Sequence, residues 1–517
     1  MGFSGDIGMP AGTGEKAEAA VSARPPACVK RALGMLRARG HDAYVVGGCV
    51  RDCLSGRQPV YWDITTDALP EQAVAALQGV PALLHAVKYG TVTALFPEMP
   101  IEITTYRIDG AYSDNRRPDD VFYTPLLRED LRRRDFTINA LAWDGACGEA
   151  RPDGTYAGAV IVDYFGGMRD LRAGVVRCVG SPEERFAEDA LRILRAIRFA
   201  SRLRFSVEPG TAAAIHEMKG RLANIAAERI RAEFAGILEG GGAADALISY
   251  CDVLAVFIPE LVGAEGLWAC AAEAVRHSEP CLAVRLGLLM RAVCCGGGGS
   301  DDCAGACMAG GEPADGLVGG LAGGLSPPMR RAAYGQAFTI LARLRFDLRT
   351  AKAAAALAVH LNAAVPCDAP GAKRALRDFG ESYLRMLISA KRALMAANAV
   401  NAVSASDTAG RQAAALGSFA SHLDAALARG ECYSLKSLRI DGAKLLALGC
   451  PPGRTVGAML SELLDAVIDG ACVNEERALE SYAAVAFHGF GNEHNPANPA
   501  NPANPANPNL HGSRAKE

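Results

Sequence analysis

Two stretches of this 517-residue chain combine residue types and spacings that could do chemistry. The first is YVVGGCVRDCLSGRQPVYWDITTDA, Tyr44 to Ala68. It reads as a strand over Tyr44–Val46 that runs into Gly47-Gly48 and then into a helix beginning near Cys49. A glycine pair at such a junction lets backbone N–H groups approach a phosphate at the helix N-terminus. Arg51, on the first turn, adds a cation. The same pair also serves as a plain tight turn, and Gly-Gly alone does not decide between the two. The second stretch is Arg177 to Arg204. Glu188-Asp189-Ala190-Leu191-Arg192 reads as helix, where Asp189 and Arg192, three apart, are neighbours. Arg195 and Arg198 continue at three-residue steps beside an apolar stripe of Leu191, Leu194 and Ile197. Seven arginines face four acids between residues 177 and 204, a local excess of three positive charges. Taken alone, these residues also suit a surface ion pair and a solvated basic face.

Bulk composition hides that patch. The formal net charge is −3, from 54 Lys+Arg and 57 Asp+Glu, which excludes a bulk polycation but not a local phosphate-binding surface. Hydrophobic residues make up 50% and charged residues 21%, a globular composition that excludes wholesale disorder. The mean hydropathy of +0.09 reflects alanine, and no run approaches the ~18 apolar residues of a membrane span. The N-terminus lacks the basic and apolar regions of a secretory signal, so a cytoplasmic location with reduced thiols is expected. Of the 16 cysteines, Cys294, Cys295, Cys303 and Cys307 cluster, but without the paired spacing of a structural zinc site.

The elements that must position these residues fall into two textures. AYVVGG, TVTALF, IEITTYR and AVIVDYF are short strand-like runs alternating with helical ones such as KRALGMLRARG, so residues 26–176 read as an α/β head. Residues 177–260 read as a helical neck, 261–400 as a helical body with a Gly/Cys-rich insert at 294–324, and 401–486 as a helical tail. Residues 1–25 read as a disordered lead-in. From Asn495 the chain repeats Asn-Pro-Ala, so 487–517 reads as a disordered tail.

The motifs GG-x-VRD-x-L-x-G-R, WDI-x-T-D-A, Glu102 in IEITTYR, RRDFTINALA (Arg133–Ala142), EDALRILRAIRF (Glu188–Phe199) and ERIRAEF (Glu228–Phe234) occur in this order. Together they resemble the class II tRNA nucleotidyltransferase (CCA-adding enzyme) and bacterial poly(A) polymerase family, roughly from Cys28 to Ala486. The resemblance implies an α+β fold. A polymerase-β-like nucleotidyltransferase head, a mixed sheet with helices, leads into an elongated all-helical neck, body and tail. It implies template-independent addition of CCA to the 3′ end of tRNA from CTP and ATP, with release of pyrophosphate and Mg²⁺ as cofactor. Poly(A) synthesis, or addition of only C or only A, stays open on the same motifs. No membrane partner is implied.

In that family an Asp-x-Asp on a strand after the Gly-Gly helix holds Mg²⁺, a hard cation that takes carboxylate oxygens. Counted from Gly56, the second Asp is Asp63, and the first position holds Tyr61. A phenol with pKa near ~10 is a poor Mg²⁺ ligand at pH 7. Asp63 and Glu102 remain as the expected metal-binding and catalytic carboxylates, with Glu102 on a strand that could equally be an edge. A catalytically impaired RNA-binding homologue is therefore the alternative of another class.

The resemblance also implies base selection by Asp189 and Arg192. Cytosine and adenine share an exocyclic amine beside a ring-nitrogen acceptor, which an Asp acceptor and an Arg donor match. Uracil and guanine invert the pattern and leave those groups unpaired. Nucleotide binding is further expected from Gly47, Gly48, Arg51, Arg134, Asp135, Arg195 and Arg198, with Asp135 near a ribose 2′-OH and Arg195 and Arg198 on the triphosphate. Glu228, Arg229 and Glu233 are expected to brace the pocket. Ile108–Val121, with Arg116 and Arg117, reads as a mobile loop beside it. His277 is followed by Ser278 rather than Asp, which speaks against a metal phosphohydrolase.

Overall fold

The computed structural model describes residues 15–84, 87–110, 120–296, 326–401 and 407–493. The chain forms two compact units, one of residues 1–298 with 335–355 and one of residues 299–334 with 356–517.

The first unit begins with a mixed eight-stranded sheet. Its strands are β1 (Glu15–Val21), β2 (Ala43–Val46), β3 (Asp63–Thr66), β4 (Ala82–Leu83), β5 (Thr91–Leu95), β6 (Pro100–Thr105), β9 (Leu141–Trp143) and β10 (Tyr156–Asp163). A separate hairpin supplies β7 (Arg107–Asp109) and β8 (Val121–Tyr123). The order across the sheet is β1-β10-β9-β2-β3-β6-β5-β4. Only β3 and β6 pair in parallel within it; the other neighbours are antiparallel. The period-two alternation of strands sorts the side chains. Val45 and Ile64 enter a core with Val29, Leu33, Leu36 and Trp143, while Val46, Ala142 and Val162 enter a second cluster with Leu131 and Val179.

Helices α1 (Ala27–Arg37), α2 (Gly48–Leu54), α3 (Pro70–Ala76), α4 (Leu127–Arg132) and α5 (Gly167–Ala173) accompany the sheet. The neck follows as α6 (Pro182–Glu188), α7 (Leu191–Leu203), α8 (Pro209–Met218) and α9 (Ala227–Leu238). Ten of the thirteen residues of α7 are buried, Arg192 and Ser201 among them, so the helix is covered on more than its apolar stripe.

The expected architecture, a mixed-sheet head followed by helices, is what the chain forms. Two boundaries differ. The lead-in assigned to residues 1–25 contains β1, whose Glu15–Ala19 pairs antiparallel with Ala159–Asp163 of β10. EKAEAAV has weak intrinsic strand preference, so its conformation comes from that partner. The last helix runs from Glu476 to Glu493, seven residues into the segment read as disordered. The Asn-Pro-Ala repeat and most of the Gly/Cys-rich insert lie outside the described residues.

In the second unit, Leu438, Ile440, Leu445, Met459, Leu463, Leu464 and Leu479 form a core of their own. Arg377 donates to Asp465 at 2.6 Å and Arg374 pairs with Asp469, joining the helices Ala369–Phe379 and Arg454–Ile468. His360 Nδ1 lies 2.7 Å from the Tyr383 hydroxyl. Among the described residues, no helix is long and apolar enough to cross a membrane.

Candidate nucleotide-binding site

β2 delivers the glycine pair to the sheet's centre. Gly47 has φ +80°, a left-handed conformation that favours glycine, and α2 starts at Gly48. A Cβ at Gly47 would come 3.1 Å from Arg134 Nη1 and 4.0 Å from Asp63 Oδ2. The glycine is therefore what permits an arginine and a carboxylate to close on the strand end. The expected anion site on the helix itself is weaker than the sequence suggests. α2 has only seven residues, and Gly47 N–H already donates to the Leu141 carbonyl. Arg51 points inward instead of toward solvent and is 9% exposed. Its Nη1 donates to Asn139 Oδ1 at 2.7 Å, and Nε and Nη2 donate to Asp52 Oδ1.

The carboxylates meet across the parallel pair. Asp63 opens β3 and lies in register with Glu102 of β6. β6 is flanked by β3 and β5, so Glu102 is on an interior strand and not an edge, although its side chain is exposed. Burial and the neighbouring Glu102 raise the Asp63 carboxyl's pKa, and the Arg134 guanidinium partly offsets them. Trp62 is buried against Trp143, with ring centroids 6.2 Å apart, and anchors the start of the strand. Tyr61, just before it, is 77% exposed. Two adjoining hard carboxylates fit two ligands of a divalent cation. Among the described residues no group of three or more His, Cys, Asp or Glu side chains is arranged to hold a metal.

RRDF carries the connection to the neck. Asp130, fully buried on α4, accepts from Arg133 Nε and Nη2 at 3.0 and 2.8 Å and from Thr65 Oγ1 at 3.1 Å. Arg134 Nη2 lies 3.5 Å from the same carboxylate. Burial opposes ionisation of Asp130, and the two arginines overcome it and lower its pKa. The Arg134 Nε donor is buried without a hydrogen-bond partner. Asp135 accepts from Arg195 at 2.8 and 2.6 Å and from Asn139 at 3.1 Å. Burial would push the Asp135 carboxyl up, but Arg195 and Asn139 bring it down to about 2.

The pair expected to read the base, Asp189 and Arg192, is built differently from the expectation. Glu188 to Arg192 is not one helix. α6 ends at Glu188, Asp189 is extended (φ −141°, ψ 104°), and α7 starts at Leu191. Asp189 and Arg192 therefore do not sit three apart on one helical face. Asp189 Oδ1 accepts from the Leu191 N–H at 3.0 Å, and Oδ2 accepts from Arg229 Nη2 at 2.8 Å. Arg192 Nη1 donates to Glu188 at 2.6 Å. An aspartate competing for a backbone N–H breaks the helix where apolar periodicity alone runs through it. The two side chains nevertheless line one cleft of about 300 Å³, with Arg133, Arg134, Asp135, Arg195 and Arg229.

Further along α7, Arg198 Nε donates to Glu233 of α9. Arg229, itself part of the cleft lining, holds Asp189, and Glu233 holds Arg198, whereas Glu228 is exposed and lies 3.6 Å from Arg345. Arg116 and Arg117 lie outside the described residues. The hairpin flanking them places Asp109 3.8 Å from Arg133. Three residues of this neighbourhood were not singled out from sequence: Asp130, Asn139 and Phe199. The i,i+3 and i,i+4 spacing of Asp130 to Arg133 and Arg134 could have revealed the first. Asn139 and Phe199 have near partners, Asp135 for the first and Arg195 and Arg198 for the second, but their shared contact with Arg51 comes from a distant segment.

Comparison with known proteins follows the same division. Residues 43–177 match the model of the poly A polymerase head domain. Residues 204–263 match a probable RNA and SrmB-binding site of polymerase A, and residues 339–483 match a putative tRNA nucleotidyltransferase domain 2. The chain is 41% identical over 247 residues to a CCA-adding enzyme of Geobacillus stearothermophilus, covering 47% of this chain and 57% of that protein. It is 42% identical over 220 residues to a CCA-adding enzyme of Leuconostoc mesenteroides, covering 42% and 50%. The chain thus spans about half the length of these curated relatives. In fold it resembles the Bacillus stearothermophilus CCA-adding enzyme solved with CTP, with a TM-score of 0.63 at 24% identity, over 90% of this chain and 99% of that one. The Thermotoga maritima CCA-adding enzyme solved with tRNA gives a TM-score of 0.52 at 20% identity, over 90% and 96%.

Proposed function

We propose that this chain, which belongs to the tRNA nucleotidyltransferase and poly(A) polymerase family, adds C and A to the 3′ end of tRNA from CTP and ATP. The observation that carries this reading is the cleft where Asp189 and Arg192 stand beside Asp135, Arg134 and Arg195. Asp189 accepts from the exocyclic amine of C or A, and Arg192 donates to the adjacent ring nitrogen. Each oxygen of Asp189 accepts one described bond, which leaves a lone pair on each for the base. Arg134 and Arg195 meet the phosphates or ribose. Asp135 acts chiefly through Arg195, since both Arg195 bonds fall on its Oδ2. Residues 26–176 form the catalytic head and 177–260 the nucleotide-selecting neck. The helices beyond 260 hold the tRNA.

Members of this family use a divalent metal. Asp63 and Glu102 are the residues that would hold it here, Mg²⁺ being the ion that hard carboxylate oxygens suit. When bound, the ion lowers the pKa of the attacking hydroxyl and neutralises phosphate charge.

The reading is tested by incubating purified protein with tRNA lacking CCA and each labelled NTP, then with an unrelated RNA. Addition of C and then A in fixed number, on tRNA only, is expected. Long A tails on any RNA would instead identify a poly(A) polymerase. The solvent-exposed Tyr61 favours a second reading, an RNA-binding homologue with impaired transfer. Tight tRNA binding with no incorporation of any NTP would establish it.

A further inference from the structure

We infer that Phe199 is a positioning residue whose ring gathers Arg51, Arg195 and Arg198 into one cradle for a triphosphate. This rests on the nucleotide-binding reading above and adds to it a residue that touches no substrate. The three guanidinium carbons lie 5.1, 5.5 and 4.6 Å from the centroid of the Phe199 ring. Arg195 and Arg198 come from its own helix, α7, and Arg51 comes from α2 in the head.

Three like charges around one point repel, and two features hold them. The first is a ring of acceptors: Asp52 and Asn139 on Arg51, Asp135 on Arg195, and Glu233 on Arg198. The second is the ring itself, whose negative face attracts cations within ~6 Å. Phe199 is 7% exposed, and Phe136 packs edge-on against it at 5.6 Å and 77°, which fixes the ring plane.

The acceptors leave donors unspent. Among the described residues, Arg198 donates through Nε alone and Arg51 keeps one N–H on each terminal nitrogen. Of the three arginines Arg195 also lines the cleft of Asp189 and Arg192, and it is the link between that cleft and the more buried Arg51 and Arg198. A polyphosphate presents several anionic oxygens a few ångströms apart and suits such a set, whereas a nucleoside monophosphate engages only part of it.

The test is calorimetric titration of the full chain with CTP, CMP and inorganic tripolyphosphate. Two changes are compared, Phe199→Leu and a trifluorophenylalanine placed at position 199. The fluorinated ring keeps the shape and drains the negative face, so it stays informative where leucine disturbs folding. CTP and tripolyphosphate are expected to weaken about tenfold in both, with CMP unchanged. Equal weakening of CTP and CMP, or no weakening with the fluorinated ring, overturns the proposal. Wild-type protein that binds tripolyphosphate but no nucleotide would refute the base-reading site and leave the cradle standing. Wild-type protein that binds no tripolyphosphate refutes the cradle.

Discussion

Arg195 donates to a single carboxylate oxygen of Asp135 through both Nε, at 2.8 Å, and Nη2, at 2.6 Å. The pair ties the RRDF segment of the head to α7 of the neck, and it makes stability depend on acid. The Asp135 carboxyl is held at about 2, against about 3.9 for a free aspartate. Its contribution is complete above about pH 4 and disappears as pH falls through about 2. Asp135→Asn should flatten the acid limb of a urea-unfolding series between pH 5 and 2.5. At neutral pH it should cost about 2 kcal/mol, because Arg195 is left with only the more distant Glu233, 3.9 Å away. An acid limb unchanged by the substitution would refute this.

Selection among bases should depend on Asp189 and on Arg229, which holds it within the same cleft. Asp189→Ala removes the acceptor for the exocyclic amine. The preference for C and A over U and G should then fall by about a hundredfold or more, read as kcat/KM for each NTP. Arg229→Ala leaves the acceptor in place but releases the 2.8 Å bond that fixes it. Its effect should be smaller and should fall on the same ratio rather than on all four NTPs alike. A uniform loss across the four would assign Arg229 to folding alone.

Some of this arrangement was readable from spacing and some was not. The strand-Gly-Gly-helix order and the mixed-sheet head followed from local signals, because turn glycines and β-branched runs act over a few residues. The adjacency of Asp63 and Glu102 depends on a parallel pairing between strands about 40 residues apart, and no local rule sets that register. The helix break at Asp189 was masked by apolar periodicity, which α6 and α7 share across the break. Asp189 itself was the missed signal, since aspartate tends to bond a nearby backbone N–H. The strand at Glu15–Val21 was missed because alanine and charged residues say little until β10 supplies a partner.

In the second unit, His360 should make stability sensitive to mild acid. Burial, with Lys391 and Arg330 nearby, lowers the His360 pKa to about 4, against about 6.5 when unfolded. As pH falls below about 6.5 the unfolded chain takes up a proton that the folded one refuses, so stability is lost. By pH 5 the loss should reach about 2 kcal/mol. His360→Gln, which can still meet the Tyr383 hydroxyl, should remove that part of the pH dependence. Chemical unfolding followed at pH 7 and pH 5 tests this, and equal slopes for both proteins would count against it.

On the proposed reading, Tyr61 stands where the metal site would take a carboxylate, and exchanging it tests how much transfer chemistry the head retains. Its side chain is 77% exposed, so exchanging it should alter stability by no more than about 0.5 kcal/mol. Any change in activity then reports on the site rather than on folding. Tyr61→Asp places a hard oxygen donor two residues before Asp63, just ahead of β3. The Mg²⁺ concentration for half-maximal incorporation should fall about tenfold or more, and the maximal rate should rise. Tyr61→Asn matches the size without the charge and should gain much less. If Tyr61→Asp leaves the Mg²⁺ requirement and rate unchanged while the fold is intact, Asp63 and Glu102 suffice and the tyrosine is no handicap.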